Sequence, residues 1–456
     1  MQLRIGSASP ALKSRRPKAK ILWTFELSAV YYPHRGSKIR IMVQTQQEMK
    51  LKGFLLAVLV LILPNIFFGS EPIAVYLTWV DDPASTMVVQ WVEPESEKRS
   101  SALYLKQGEG IWLNVPCQAT VLHGANAVLK RVFLQKLHPD TDYVFCLSSD
   151  IEHTKKYRFK TMPKQLFRSV RFVVGGDAYY HYDLFRKMNG VVAHLSPDFV
   201  VLGGDIAYAA RHGSSLKQAD WEWRRWKTFL KSWSEQMIDE NGRLIPLVVA
   251  IGNHDTNGSY RMLMNEKKKP SLFFTFFPFN ESFTTYRELM FGDYLALFLL
   301  DTGHVHTIDQ QQTAWLKSAL KESARFPYKM AIYHRPAYGA YGNYNSRKAM
   351  LIRTTWSPLF ERYGLQVAFE HHNHVYSRSK PIKGGKIDAQ GVLYLGEGAW
   401  GVSPRKPLTP KEVFYIEKSA QINSVYLVTI GQKDCHIFAI DNQGAIFDKA
   451  PPLFSR

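Results

Sequence analysis

The stretch FVVLGGDIAY (residues 199–208) carries the pattern on which the fold turns. A short, β-rich apolar run, closed by glycine and then by a polar residue, reads as a buried strand whose carboxyl end carries chemistry. Here that end offers Asp205 and, three residues on, Tyr208. Four further runs follow the same grammar: RFVVGGD (171–177), LVVAIGNHD (247–255), MAIYH (330–334) and VAFEHHNH (367–374). Asp177, Asp205, Tyr208, Asn253, His334, His372 and His374 are therefore expected to converge at the rim of one sheet, where strand ends of α/β proteins place their sites.

Their chemistry suits a pair of cations. Two metals about 3.5–4 Å apart must share an anionic ligand, and Asp205 is the natural bridge. A phenolate favours a trivalent ion such as iron, so Tyr208 groups with Asp177 and His374 on one metal. Asn253, His334 and His372, with Asp205 shared, suit a divalent iron, zinc or manganese ion.

The formal charge of +19 is unevenly placed. Residues 1–48 hold nine Lys/Arg against two acids, and Lys50 and Lys52 add two more positive charges. The remainder is spread without basic blocks or a nucleic-acid motif, which argues against a nucleic-acid partner and fits a mildly basic surface attractive to anionic substrates. Lys50 and Lys52 precede the apolar stretch 53–63, then Pro64 and the small pair Gly69-Ser70, in the order of a secretory signal peptide. Since Met49 stands just before it, residues 1–48 are read as an over-extended start and 49–70 as a cleaved signal. The run is short of the roughly 20 residues a bilayer span needs, so no stable span is expected after cleavage. Cys117 and Cys146 could pair in an oxidising compartment, leaving Cys435 single.

From Pro72 to about Pro163 the pattern is all β, with runs such as AVYLTWV and TMVVQWV between turn clusters, as in a small antiparallel sandwich. After Pro163 strands alternate with helical patterns, ADWEWRRWKTFLKSW (219–233) and QQQTAWLKSALKESA (310–324) among them, which predicts an α/β layered fold. The tryptophans of the first pattern fall at helical spacing and are read as packing on a sheet. The tail returns to strands.

The ordered series GD, GDxxY, GNHD, H and HxH resembles the purple acid phosphatases, within the calcineurin-like metallophosphoesterases. The resemblance runs from about Pro72 to the end and includes YRELMFGDYLALFLLDT (286–302) and VLYLGEGAWG. It implies a fibronectin III-like all-β sandwich (71–163) followed by a calcineurin-like α/β metallophosphoesterase domain (164–456). It also implies an exported enzyme (periplasmic, secreted or cell-surface) that hydrolyses small phosphate monoesters at a dinuclear centre, with a metal-bound hydroxide as nucleophile. His254 takes the family position of the group that steadies the phosphoryl and protonates the leaving oxygen, with Asp255 orienting it. Departures from the family pattern are Tyr179, Ala331 and His371. The paired histidines that hold phosphate in the plant enzymes are replaced by GAYGNYNSRKAM (339–350), where Tyr338, Tyr341 and Arg347 are available; Tyr338, Arg347 and His371 are the substrate-side candidates. That substitution keeps a phosphodiesterase or nucleotide hydrolase open as an alternative. An inert cell-surface binding protein is a third reading, against which the intact ligand set argues. The GHVH stretch (303–306) matches the written form of the last motif but precedes His334, and is read as a solvated loop.

Overall fold

Eight strands come first: β1 (Ala74–Thr78), β2 (Met87–Pro94), β3 (Ser101–Lys106), β4 (Leu113–Pro116), β5 (Gln118–Leu122), β6 (Ala127–Leu134), β7 (Asp142–Cys146) and β8 (Lys156–Lys160). In this computed structural model they form two antiparallel four-stranded sheets, ordered β1-β2-β6-β5 and β4-β3-β7-β8. The structure describes residues 71–96, 101–106, 111–122, 124–147, 151–210, 216–256, 271–278 and 284–454. All of them belong to one compact unit, Phe67–Arg456. The segments read as an over-extended start and a signal peptide lie outside the described residues.

The Tyr143 hydroxyl accepts a hydrogen bond from the His138 N–H at 2.8 Å, the tyrosine corner of such sandwiches. Cys117 and Cys146 are both thiols. Cys117 follows β4 and Cys146 ends β7, with β3 between those strands. That separation of two strand spacings, roughly 9–10 Å, exceeds the reach of a disulfide.

Strand β2 is buried on both faces because alternate residues serve two interfaces. Met87, Val89 and Trp91 point into the sandwich. Val92, with Ala74 and Tyr76 of β1, joins a cluster containing Trp226 and Phe276 of the following region. Tyr76 Oη and Gln90 Nε2 both donate to the Phe276 carbonyl, at 2.9 and 3.0 Å. Trp79 sits edge-on to Phe199 and Phe291, each at 5.8 Å. The sandwich is therefore packed onto the α/β region by a continuous apolar core, not tethered beside it.

The second region runs β9 (Val170–Gly175), α1 (Tyr182–His194), β10 (Phe199–Gly203), α2 (Leu216–Gln236), β11 (Leu247–Ala250), α3 (Leu272–Phe276), β12 (Arg287–Phe291), β13 (Leu295–Leu300), α4 (Gln311–Glu322), β14 (Tyr328–Tyr333), α5 (Arg347–Thr355), α6 (Ser357–Tyr363) and β15 (Val367–Glu370). It continues through β16 (Tyr376–Ser379), the hairpin β17 (Ile382–Lys383) and β18 (Lys386–Ile387), β19 (Leu393–Gly396), β20 (Ile416–Ala420), β21 (Ser424–Ile430), β22 (Asp434–Asp441), β23 (Ile446–Lys449) and β24 (Leu453–Phe454). One sheet is ordered β11-β10-β9-β21-β22-β23 with β24 beside β22, the other β12-β13-β14-β15-β19-β16-β20.

Period-two alternation sorts the side chains into layers. Phe172, Val174 and Val201 of the first sheet meet Leu297, Met330 and Phe369 of the second in a shared interior. The opposite faces take helices: Phe185, Trp226 and Trp233 cover the first sheet, and Leu316, Trp356 and Phe360 cover the second. Each fully buried phenylalanine contributes about 1.5–3 kcal/mol to this four-layer stack. Strands β9, β10 and β11 are parallel, as are β13, β14, β15 and β19, so their carboxyl ends open on one rim.

Candidate metal centre

The rim loops have unusual backbone. Asp177 (φ 53°), Asp205 (φ 53°), Tyr208 (φ 49°), His372 (φ 67°) and His374 (φ 55°) are all left-handed. Such residues cost roughly 1–2 kcal/mol each and persist where surrounding contacts over-determine them. Those contacts are visible. The N–H groups of Asp177, Ala178 and Tyr179 donate to the carbonyls of Gly204, Asp205 and Ile206, each at 3.0 Å, lacing the loops after β9 and β10 together. The Asp255 carboxylate accepts from the N–H groups of Asp205, Ile206 and Gly252, each at 2.8 Å, which ties in the loop after β11. Gly252 has no substitute here, since a Cβ on it would lie 2.2 Å from the Asp205 nitrogen.

Each acidic ligand candidate has one oxygen anchored and one turned to the centre. Asp205 Oδ1 accepts from the His254 N–H at 2.6 Å, and Asp177 Oδ2 accepts from the His372 N–H at 2.9 Å. The other Asp177 oxygen, Oδ1, lies 2.7 Å from Tyr208 Oη and 2.9 Å from His374 Nε2. Tyr208 Oη and His374 Nε2 are 3.1 Å apart. A second group abuts this one: His334 Nε2 lies 3.1 Å from Asp205 Oδ2, 3.2 Å from Asn253 Oδ1 and 3.2 Å from His372 Nδ1. The seven residues singled out at the strand ends are thus brought together.

The donor set fits cations. His334 Nδ1 is 3.0 Å from the Gly203 carbonyl, which can only accept, so Nδ1 carries a proton and Nε2 is the nitrogen turned to the cluster. Asp205 Oδ2 is buried and turned toward His334 Nε2. Ligand atoms of Asp205, His334 and His372 all lie within 4.8 Å of one another. Carboxylate, phenol, amide and imidazole are the ligand types that iron, zinc and manganese accept.

The titration of the cluster reflects this crowding. Burial alone would raise Asp177, but His374, His334 and His372 outweigh it and hold the carboxyl well below its usual range. Burial, then Asp177 and Asp205, push Tyr208 far up. Burial opposes protonation of His334, yet Asp205 carries it to about 9, while burial and then His334 drive His372 down to about 2. Shifts of opposite sign packed into one small volume mark functional sites.

Five expectations need correction. Asp255 is buried with both oxygens engaged by backbone N–H groups, so it holds the loops and does not orient the His254 ring. Tyr338 is 3% exposed and packs on Tyr394 and Tyr415, at 4.4 and 5.3 Å, in the core behind the site. His371 is 1% exposed beneath the centre, wedged against Gly176 and Gly203, where a Cβ on Gly203 would fall 1.8 Å from its ring. Arg347 opens α5 on its exposed side, and its neighbour Lys348 faces the cleft beside the centre instead. In the GHVH loop, Asp301 accepts from the N–H groups of His304, Val305 and His306, at 2.7, 2.9 and 2.8 Å. The loop is folded rather than solvated, and His304 is buried with its ring 5.5 Å from that of His334.

His254 stacks on Tyr208, ring centroids 4.7 Å apart, with Nε2 4.0 Å from Asp205 Oδ2 and its side chain 41% exposed. Residues that the sequence reading missed are Arg335, Arg405 and Glu370. Arg335 was signalled by its place directly after His334. Glu370 accepts from Tyr333 Oη and the Ala337 N–H, at 2.8 and 2.7 Å, and so shapes the loop after β14.

Residues 72–161 match the family described as the purple acid phosphatase N-terminal domain, and residues 170–376 match the calcineurin-like phosphoesterases. Purple acid phosphatase 15 of Arabidopsis thaliana is 25% identical over 308 residues, covering 62% of this chain and 55% of that protein. An uncharacterized protein of Mycobacterium tuberculosis is 22% identical over 357 residues, covering 69% of this chain and 64% of its own length. Against the first of these the chain spans little more than half of the relative's length. A purple acid phosphatase from yellow lupin seeds superposes with a TM-score of 0.66 at 15% identity, over 82% of this chain and 73% of that one. PhoD does so at 0.61 and 13% identity, over 84% and 94%. Fold, domain order and sequence agree: the chain carries a domain matching the purple acid phosphatase N-terminal family followed by one matching the calcineurin-like phosphoesterases, and it resembles the purple acid phosphatases in that arrangement.

Proposed function

We propose that the protein is an exported phosphomonoesterase with a dinuclear metal centre, in which residues 71–163 form the supporting domain and 164–456 the catalytic one. Asp177, Tyr208 and His374 would hold a ferric ion, and Asn253, His334 and His372 a divalent iron, zinc or manganese ion, with Asp205 available to both. The observation that carries the reading is Asp205 Oδ2, buried among the candidate ligands at 3.1 Å from His334 Nε2. Bound there, such ions would supply Lewis-acid charge and lower the pKa of water, which would suit an acidic optimum.

The chain's own groups do the rest. Backbone N–H groups fix one oxygen of Asp177 and of Asp205, so that the ligands need little rearrangement. His254 stands on the solvent side of the shared carboxylate, where it steadies the phosphoryl group. In hydrolysis the water oxygen bonds to phosphorus, the ester P–O bond breaks, and the departing oxygen takes its proton from His254. The Lys50-Lys52 and 53–63 pattern supports export. Among the described residues no helix is long and apolar enough to cross a membrane.

Protein expressed from Met49 onward tests the reading through metal content, visible absorbance and rates on an aryl phosphate and its diester. About two ions per chain including iron, with monoester hydrolysis faster, sustains it. A faster diester reaction moves the assignment to a phosphodiesterase, and a purified protein that binds no metal overturns it.

A further inference from the structure

Beside the cluster lies a cationic cleft. Arg335, Lys348 and Arg405 line it with Tyr341, Asn343 and His372, and none of its lining residues is acidic among the described residues. Arg405 is placed by its own N–H, which donates to the His374 carbonyl at 2.8 Å, and its guanidinium lies 5.1 Å from the Tyr341 ring. Lys348 Nζ donates to the Gly303 carbonyl at 2.8 Å. Burial and then the Arg335 charge push the Lys348 amine down to about 8. Cations gathered at one cleft favour an anion there.

Arg335 enters the cleft from beside the centre. Its Nη1 lies 2.8 Å from His372 Nε2, while His372 Nδ1 faces the cluster. Arg335 Nη2 lies 3.4 Å from Asn253 Oδ1 and its Nε lacks a partner among the described residues, and a guanidinium fork at that place suits phosphate. The cleft measures about 190 Å³, below the roughly 300–1,000 Å³ of sites that enclose a whole small molecule. It fits a substituent.

We propose that Arg335, Lys348 and Arg405 bind a second phosphate group of the substrate, so that the preferred substrates carry another phosphate beside the one hydrolysed. This rests on the phosphoesterase reading of the adjacent centre. The class includes nucleoside diphosphates and sugar bisphosphates.

The test uses metal-loaded protein and the variants R405Q and K348Q/R405Q, with melting temperatures as a check on folding. Values of kcat/KM are compared for ADP against AMP and for glucose 1,6-bisphosphate against glucose 1-phosphate, the pairs distinguishing an anhydride-linked from a separately esterified phosphate. At least one pair should favour the doubly phosphorylated member tenfold or more, through KM, and the double variant should erase most of that preference. Equal rates in both pairs, or a preference that survives in a folded double variant, overturns the proposal. Calorimetry with methylenediphosphonate and with inorganic phosphate reads the cleft independently of turnover. Diphosphonate binding at least tenfold tighter than phosphate, and lost in the double variant, supports the cleft even if no nucleotide or sugar phosphate is hydrolysed. That absence of hydrolysis would count against the phosphoesterase reading alone. Equal binding of the two ligands overturns the cleft.

Discussion

His334 Nε2 and Asp205 Oδ2 lie 3.1 Å apart although they belong to different sheets, His334 following β14 and Asp205 following β10. The centre therefore spans the interface between the two sheets. Ions bound there should clamp the layers together. A ligand present at about 1,000 times its Kd adds roughly 4 kcal/mol to a folded state. At about 2–4 °C per kcal/mol, removing the ions with a chelator should lower the melting temperature by roughly 8–16 °C. Scanning calorimetry with and without chelator measures it; identical transitions would remove the ions from this interface.

Tyr208→Phe keeps the aromatic stack on His254 and deletes only the hydroxyl held against Asp177 and His374. The variant should fold normally and lose any visible absorption band that the wild type shows. A band that persists assigns the colour to another residue.

His254 and Asp255, adjacent in sequence, should fail differently. His254→Ala retains the backbone N–H that anchors Asp205, so metal content should stay while kcat falls about 10²–10⁴-fold. Asp255→Asn brings an NH₂ group against backbone donors and should cost about 1–3 kcal/mol. Its expected signature is weaker metal retention, read by metal analysis after dialysis, with partial recovery of rate in excess metal. Full metal occupancy in a slow Asp255→Asn enzyme would return Asp255 to a direct chemical role.

Asp448 gives a pH dependence remote from the centre. Burial would raise its pKa, but hydrogen bonds from Arg378 and Tyr376 outweigh that and lower it from 3.8; Arg378 Nε is 2.7 Å away and Lys418 Nζ 3.2 Å. A depressed folded value means stabilisation present above the unfolded pKa of about 3.9 and lost as pH falls through the folded one. Asp448→Asn should therefore be less stable than wild type by roughly 1–3 kcal/mol at pH 7. The gap should narrow below about pH 4. Urea unfolding at the two pH values decides it, and a gap that is constant or widens in acid contradicts the assignment.

The ligand candidates were legible because each follows a buried strand, and an apolar run marks a strand end whatever the tertiary context. The layers followed from alternation in the same runs. The surroundings were less legible, because they depend on which way a side chain turns. Arg347 and Lys348 are neighbours, but one step along a helix rotates the direction by about 100° and sends only the second into the cleft. Tyr338 lies close to the site in sequence, yet Glu370 draws its N–H inward and the ring follows into the core. Arg405 comes from a loop far beyond the last motif, and no local pattern marks it. His371 reads as an extra imidazole near the metals until Gly176 and Gly203 are seen to leave a pocket for its ring beneath them.

The lacing of the loops after β9 and β10 to the single Asp255 carboxylate also sets an order of assembly. Asp177, Asp205 and Asn253 can be arranged by the first sheet alone, whereas His334, His372 and His374 arrive from the second. During synthesis the chain thus completes an acidic half-site long before the histidines emerge to close it. With Tyr208 that half offers four donors and the second sheet three histidines, so an ion held by both sets would report that both sheets have docked.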